Sequence, residues 1–159
     1  METIMGIDPG LKGGIAVMGQ DGSVVHVEKM PVIKADGSSV IDFHTLGRIV
    51  KTHKPMFICV EKVHAMPKQG VSSVFTFGMG FGGILGIAAA LGVPLVNVRP
   101  LAWQKVVLAG LDKDLGKARS ILHCKQRYPQ IEPAHKHDGI ADALCIAEWG
   151  LLQGSLYRE

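Results

Sequence analysis

Four carboxylates stand at places in the chain where a fold can bring them together: Asp8, Glu61, Asp138 and Asp142. Asp8 closes an apolar run and is followed at once by Pro9-Gly10, and Glu61 closes a second apolar run that begins at Met56. Asp138 and Asp142 are four positions apart at the head of an apolar-striped segment, a spacing that puts both on one side of a helix. If the two apolar runs are neighbouring strands, Asp8 and Glu61 meet at one edge of a sheet and all four acids converge. Such a cluster repels itself unless cations neutralise it, and oxygen-only ligands suit Mg²⁺, with Mn²⁺ as a substitute, rather than zinc. Two divalent ions balance four negative charges; held about 3.5–4 Å apart, they bind a phosphate between them, generate hydroxide and stabilise a leaving 3′ oxygen. The expected chemistry is phosphodiester hydrolysis.

Each acid also has an ordinary use. Asp8 before Pro9-Gly10 is a turn former, Glu61 can end a strand at the surface, and Asp138 can cap a helix and favour its dipole. Asp142 is harder to dismiss, because it lies one turn into its segment amid Ala141, Ala143 and Leu144, where capping has no use for it.

The elements that must position these groups are readable from periodicity. Thr3 to Asp8, Gly13 to Met18 and Val24 to Met30 read as strands separated by the turn residues Pro9-Gly10-Leu11-Lys12 and Asp21-Gly22, which predicts an antiparallel meander. After a polar loop, Lys34 to Ser39, the positions Ile41, Leu46, Ile49 and Val50 recur at helical spacing up to Lys51-Thr52-His53-Lys54. Met56 to Glu61 is a fourth strand whose apolar run suits a place covered on both faces. A loop from Lys62 to Gly70, a buried helix from Ser72 to Leu91 and a strand from Pro94 to Val98 follow. Helices are expected at Leu101 to Leu108, at Leu115 to Tyr128 with Asp112 and Asp114 as caps, and from Asp138 to about Gln153. The sum is one α/β domain over residues 1–159: a mixed five-stranded sheet, three antiparallel strands then two parallel, with helices on both faces.

Composition sets wide bounds. A chain of 159 residues with 47% hydrophobic content has enough apolar material for one core, and a formal charge of +3 permits a polyanionic partner without demanding one. Cys59, Cys124 and Cys145 are far apart and sit in apolar runs, so buried reduced thiols in the cytoplasm or another reducing compartment are expected. Val71 to Val98 carries no charge and is long enough to span a bilayer, but it holds six glycines and is interrupted by Gly92-Val93-Pro94. A soluble protein without a membrane partner or small-molecule cofactor is therefore expected.

The run Ile4-Met5-Gly6-Ile7-Asp8-Pro9-Gly10 with Gly13-Gly14, then Val60-Glu61-Lys62-Val63, then Asp138-Gly139-Ile140-Ala141-Asp142-Ala143-Leu144, resembles the three acidic motifs of the RuvC family of Holliday-junction resolvases. Gln69-Gly70 and Pro100-Leu101-Ala102-Trp103-Gln104-Lys105 resemble its phage and chloroplast members most. The resemblance implies a ribonuclease H-like fold, a homodimer, and paired nicks across a four-way DNA junction that leave 5′-phosphate and 3′-hydroxyl ends. It implies metal-binding roles for Asp8, Glu61, Asp142 and Asp138. The last departs from the bacterial spacing of three, so His135 and His137 remain alternative ligands or phosphate contacts. Lys105 and Lys117 resemble the family's two basic residues beside the scissile strand, with Lys117 assigned to the chemistry. Lys12, His64, Lys68, Gln69 and His135 complete the expected DNA contacts. The family's junction-opening aromatic is left open among His64, Phe75 and Phe77, with core packing the ordinary role of the two phenylalanines. Gly78, Gly80, Gly82, Gly83 and Gly86 weaken a helix, each by up to about 1 kcal/mol relative to alanine, and close packing against a sheet or a second copy is expected to offset that.

Three other readings compete. A nuclease of the same superfamily acting on RNA or on other branched DNA would use the same acids. A non-catalytic junction-binding protein has no need to keep all four. An actin-like ATPase begins with a similar Asp-Gly loop but requires a duplicated second lobe, for which the chain has no room.

Overall fold

The computed structural model describes residues 2–62 and 70–153. The opening meander forms where its turn residues predict it: β1 (Thr3–Asp8) pairs antiparallel with β2 (Gly14–Gly19), and β2 with β3 (Val24–Lys29). A separate two-stranded hairpin, β4 (Val32–Ala35) and β5 (Ser38–Ile41), replaces the polar loop expected there. Its cause is Asp36-Gly37: both residues have positive φ, at 48° and 79°, the backbone that closes a two-residue hairpin and that Asp-Gly tolerates well. Ile41 accordingly ends a strand and does not begin a helix.

Helix α1 (Phe43–His53) starts where the Asp42 carboxylate accepts the Thr45 N–H at 3.0 Å, and it stops at Lys54, whose φ of 43° is left-handed. β6 (Phe57–Glu61) then pairs parallel with β1, and β7 (Leu95–Val98) parallel with β6. The sheet order is β3-β2-β1-β6-β7, so the expected three antiparallel strands followed by two parallel ones are borne out.

Helix α2 (Val71–Ala90) lies between β6 and β7 in the chain, and α3 (Pro100–Val107) follows β7. The helix expected from Leu115 begins later. Asp112 accepts the Asp114 N–H in a single 3₁₀ turn, Gly116 reverses the backbone at φ 54°, and α4 runs over Ala118–Arg127. A second 3₁₀ turn, Glu132–His135, not expected from the sequence, leads into α5 (Asp138–Gln153).

Pleating divides the core in two. Met5, Ile7, Ile15, Val17, Ile58 and Val60 point to the side covered by α1 and α2, while Ile4, Ala16, Met18, Phe57 and Cys59 point to the side covered by α3, α4 and α5. Helices on both faces are thus borne out, and all three cysteines are buried and free.

The expectation of a buried α2 is corrected. Of its residues only Gly80, Ile84 and Ala88 are buried, although the helix is long and apolar enough by length and composition to cross a membrane. Two glycines do pack closely: a Cβ on Gly80 would stand 3.1 Å from Ile41, and one on Gly83 would enter the Phe43 ring. A Cβ on Gly78, Gly82 or Gly86 would meet nothing within 4 Å. Phe75 is 71% exposed, so core packing does not explain it, whereas Phe77 is half-buried and lines a small cavity with Leu11, Ile41 and Phe43.

Candidate functional site

Asp8 and Glu61 end two strands that are neighbours. The register pairs Ile7 with Val60, so each acid is the next residue along; both alternate to the face carrying α3, α4 and α5. Asp8 is held in its turn by the Gly10 N–H, which donates to its Oδ1 at 3.3 Å.

Glycines let α5 lie down on that face. A Cβ on Gly150 would meet Ile4 and Cys59, one on Gly6 would meet the Ala143 and Ala147 backbone, and one on Gly14 would stand 2.6 Å from the Gly139 carbonyl. Read in sequence, these crossings show α5 running antiparallel to β1, its first turn over the end of the strand where Asp8 stands. That direction is what carries Asp138 and Asp142 to the two strand-end acids. A Cβ on Gly139 would lie 2.7 Å from the Gly13 Cα, against backbone that cannot step aside. Gly139→Ala is therefore expected to destabilise the fold by about 1–3 kcal/mol, read as a lowered thermal midpoint. An unchanged midpoint would contradict this packing.

The acids feel one another. Burial first, then Asp142, Glu61 and Asp138 push the Asp8 carboxyl up to about 7, against a lowering bond from the Gly10 N–H. Burial, then Glu61 and Asp138, push Asp142 up to about 6, against a Ser120 hydroxyl bond and the Lys117 charge. Burial also raises Glu61, opposed by the Trp103 indole, whose Nε1–H donates to Glu61 Oε2 at 2.7 Å. Asp138 is the more open member: its Oδ1 accepts its neighbour Gly139 N–H at 3.0 Å, and its Oδ2 is 3.9 Å from Lys117 Nζ. Among the described residues no three acidic, imidazole or thiol side chains are yet drawn together tightly enough to ligate one ion. What the fold provides is a set of oxygen donors within electrostatic reach of each other and short of compensating charge.

The other expected residues are distributed unevenly. Lys117 stands just before α4, beside a groove of about 420 Å³ that is also lined by Glu61, Trp103, Arg119, Ser120 and Asp142. Lys105 lines an adjoining groove of about 470 Å³ that shares Gln104, Leu108, Lys113 and Arg119 with the first, so it lies along the approach and not among the acids. Lys12 is exposed in the turn after Asp8. His135 is occupied, its Nε2 bonding the Tyr128 carbonyl at 3.0 Å. His137 accepts the Ala141 N–H through its carbonyl, and its Nδ1 is buried without a partner among the described residues. His64, Lys68 and Gln69 lie outside the described residues.

Three residues that sequence reasoning passed over line the groove. Ser120 gives no signal in sequence, being one hydroxyl in an amphipathic helix. Arg119 is half-buried, donates from Nη2 to the Leu108 carbonyl at 3.1 Å, and keeps a buried Nε without a partner among the described residues. Trp103 was visible only as part of a resembling segment.

Comparison with known proteins gives a consistent result. Residues 4–148 match the family model described as crossover junction endodeoxyribonuclease RuvC. A curated protein of that name from Nitratidesulfovibrio vulgaris strain DP4 is 28% identical over 112 residues, 67% of this chain; the match spans 66% of the relative's own length. Among solved structures, Thermus thermophilus RuvC in complex with Holliday junction substrate superposes with a TM-score of 0.75 at 20% identity, covering 98% of this chain and 96% of that one. The yeast mitochondrial Holliday junction resolvase Ydc2 gives 0.62 at 14% identity, covering 98% and 80%. The fold is the ribonuclease H-like one expected.

Proposed function

The chain belongs to the RuvC family of crossover junction endodeoxyribonucleases, and from that premise we propose that it is a structure-selective endonuclease that resolves four-way DNA junctions by metal-assisted phosphodiester hydrolysis. The observation that carries the proposal is the convergence of Asp8, Glu61 and Asp142, with Asp138 behind them, on one end of the sheet. Carboxyl groups that hold protons up to about 7 and about 6 are sites where positive charge is wanted. Their oxygen-only character fits hard divalent cations, Mg²⁺ with Mn²⁺ as a substitute, and four acids suit two ions. When bound, such ions supply a hydroxide nucleophile and charge stabilisation at the leaving 3′ oxygen, giving 5′-phosphate and 3′-hydroxyl ends.

The chain's own residues then divide the work. Asp8, Glu61, Asp142 and Asp138 hold the cations, and Lys117, beside Asp138, stabilises charge that builds on the phosphoryl oxygens. Lys105, farther along the groove, and Lys12, exposed in the turn after Asp8, hold neighbouring phosphates, which positions the strand without reading sequence. The test is cleavage of a synthetic four-way junction against duplex, flap and RNA substrates, with and without Mg²⁺. Preferential Mg²⁺-dependent cleavage of the junction is expected; equal cleavage of the others would remove the assigned substrate.

Lys117 allows a sharper check. Its side chain is 89% exposed, so Lys117→Ala leaves the fold intact. Turnover is expected to fall about 100-fold, as for loss of one transition-state donor, while junction affinity changes by less than about 3-fold. Equal losses in turnover and binding would make it an ordinary phosphate contact.

A four-way junction has paired strands to cut, and one chain carries one acid cluster, so the enzyme is proposed to act as a homodimer. The exposed stripe of α2 supports this. Val71 is 87% exposed, Phe75 71% and Met79 44%, and they run alongside the open glycines Gly78, Gly82 and Gly86. Large apolar groups beside bare backbone allow a second helix to approach closely, which is the use the exposed glycines of this helix otherwise lack.

A further inference from the structure

Trp103 is 2% exposed, and a buried indole N–H must find an acceptor. A backbone carbonyl would serve a purely structural tryptophan. Here the acceptor is Oε2 of Glu61, at 2.7 Å, on a side chain from β6, 42 positions earlier in the chain. A bond to a carboxylate is stronger and more directional than one to a neutral oxygen. The donor is also rigid: α3 begins with Pro100 in its first turn, Trp103 and Val107 are both buried on its inner side, and the ring packs in the core cluster formed by α3, α4 and α5. Glu61 has three side-chain torsions and stands at the last position of its strand. Left alone it would sample several rotamers at the mouth of the groove.

We propose that Trp103 is a positioning residue: its indole fixes Oε2 of Glu61 so that the carboxylate presents its other oxygen to a divalent cation. The inference rests on the proposed cation role of the acid cluster and adds a determinant of cation affinity outside that cluster.

The probe is Mn²⁺ alone, its free concentration followed by electron paramagnetic resonance, on wild type, Trp103→Phe, Glu61→Gln and the double variant. Trp103→Phe is expected to weaken Mn²⁺ binding on the order of 10-fold, the usual effect of removing a group that orients a ligand. In the Glu61→Gln background the same change should have no further effect. Wild-type affinity in Trp103→Phe, or an equal loss in both backgrounds, overturns the proposal.

A second measurement needs no change at Trp103. The two indole N–H resonances are assigned with Trp149→Phe, and the Trp103 signal is followed by ¹H–¹⁵N NMR as Mg²⁺ is added. It should shift along the Mg²⁺ binding curve in wild type and stay still in Glu61→Gln; a signal indifferent to Mg²⁺ in wild type overturns the proposal. If wild type bound no Mn²⁺, or Asp8→Asn bound it as well as wild type, the acid cluster itself would fail, and Trp103 with it. Metal binding that depends on Asp8 but not on Trp103 would remove the tryptophan's role alone.

Discussion

Asp8→Asn is expected to abolish junction cleavage, lowering it about 10³-fold or more, equivalent to about 4 kcal/mol of transition-state stabilisation. Junction binding should survive, because the exposed lysines of the groove are untouched. The same substitution should make the metal-free protein more stable at neutral pH, which separates a damaged site from a damaged fold. The sign follows from linkage. Asp8 is raised from 3.8 to about 7 in the folded chain, chiefly by burial and then by Asp142. Between those two pH values the folded state holds a proton that the unfolded state has released, so stability falls as pH rises through that window. Asparagine carries no such penalty. In the absence of metal, wild type and variant should therefore diverge in thermal midpoint from about pH 4 upward, with the variant higher. Mg²⁺ should then raise the midpoint of wild type and not of the variant, since binding to the folded state alone stabilises it. A variant less stable than wild type at pH 7 without metal would contradict the buried, repelled carboxyl; cleavage surviving the substitution would remove the active-site assignment.

The second large effect is expected on α2. Gly82→Leu places a side chain where nothing lies within 4 Å, and leucine is a better helix former than glycine by about 0.8–1 kcal/mol, so the single chain should fold at least as well. If two copies meet across Gly78, Gly82 and Gly86, however, the leucine blocks their approach, and Phe75→Glu places a charge in the same contact. Each buried Phe75, Val71 or Met79 contributes roughly 1.5–3 kcal/mol when removed from water, so loss of the contact should raise the dimer dissociation constant by a factor of about 100 or more. Sedimentation equilibrium reads this directly. On a cruciform plasmid the two nicks, which a dimer makes within one encounter, should become independent and slow. Wild type sedimenting as a monomer at every concentration would remove the dimer. Wild type that instead partitions into vesicles would assign the apolar stripe to a bilayer.

The candidate site was largely legible because its chemistry sits at element ends. Asp8 and Glu61 each terminate an apolar run, so the strand boundary and the acid are the same signal. Asp142 is conspicuous as a charge in an alanine- and leucine-rich stripe. The hairpin at residues 32–41 was not expected although Asp36-Gly37 is a turn signal, because its strands are only four residues long and partly polar, which reads as loop. The fourth helix began later than expected because Gly116 breaks it, a backbone requirement that a helical pattern over Leu115 to Tyr128 conceals. The burial of α2 was misjudged for a different reason. Apolar composition reports that a helix wants cover, not that its own chain supplies it.

The sequence by itself determined the five strands of the main sheet, most of the helices and the four acids proposed as oxygen donors, because these depend on apolar runs, turn residues and side-chain type. Only the tertiary structure decided that α5 runs antiparallel to β1 across Gly6, Gly14 and Gly139, and so which of its ends meets Asp8. It alone brought Trp103 to Glu61 and Ser120 to Asp142, and set Lys105 apart from Lys117. The physical reason is that contacts between residues distant along the chain are chosen by packing. A close crossing of helix on sheet is open only where glycines leave room, and an indole N–H or a serine hydroxyl goes wherever that crossing puts an acceptor.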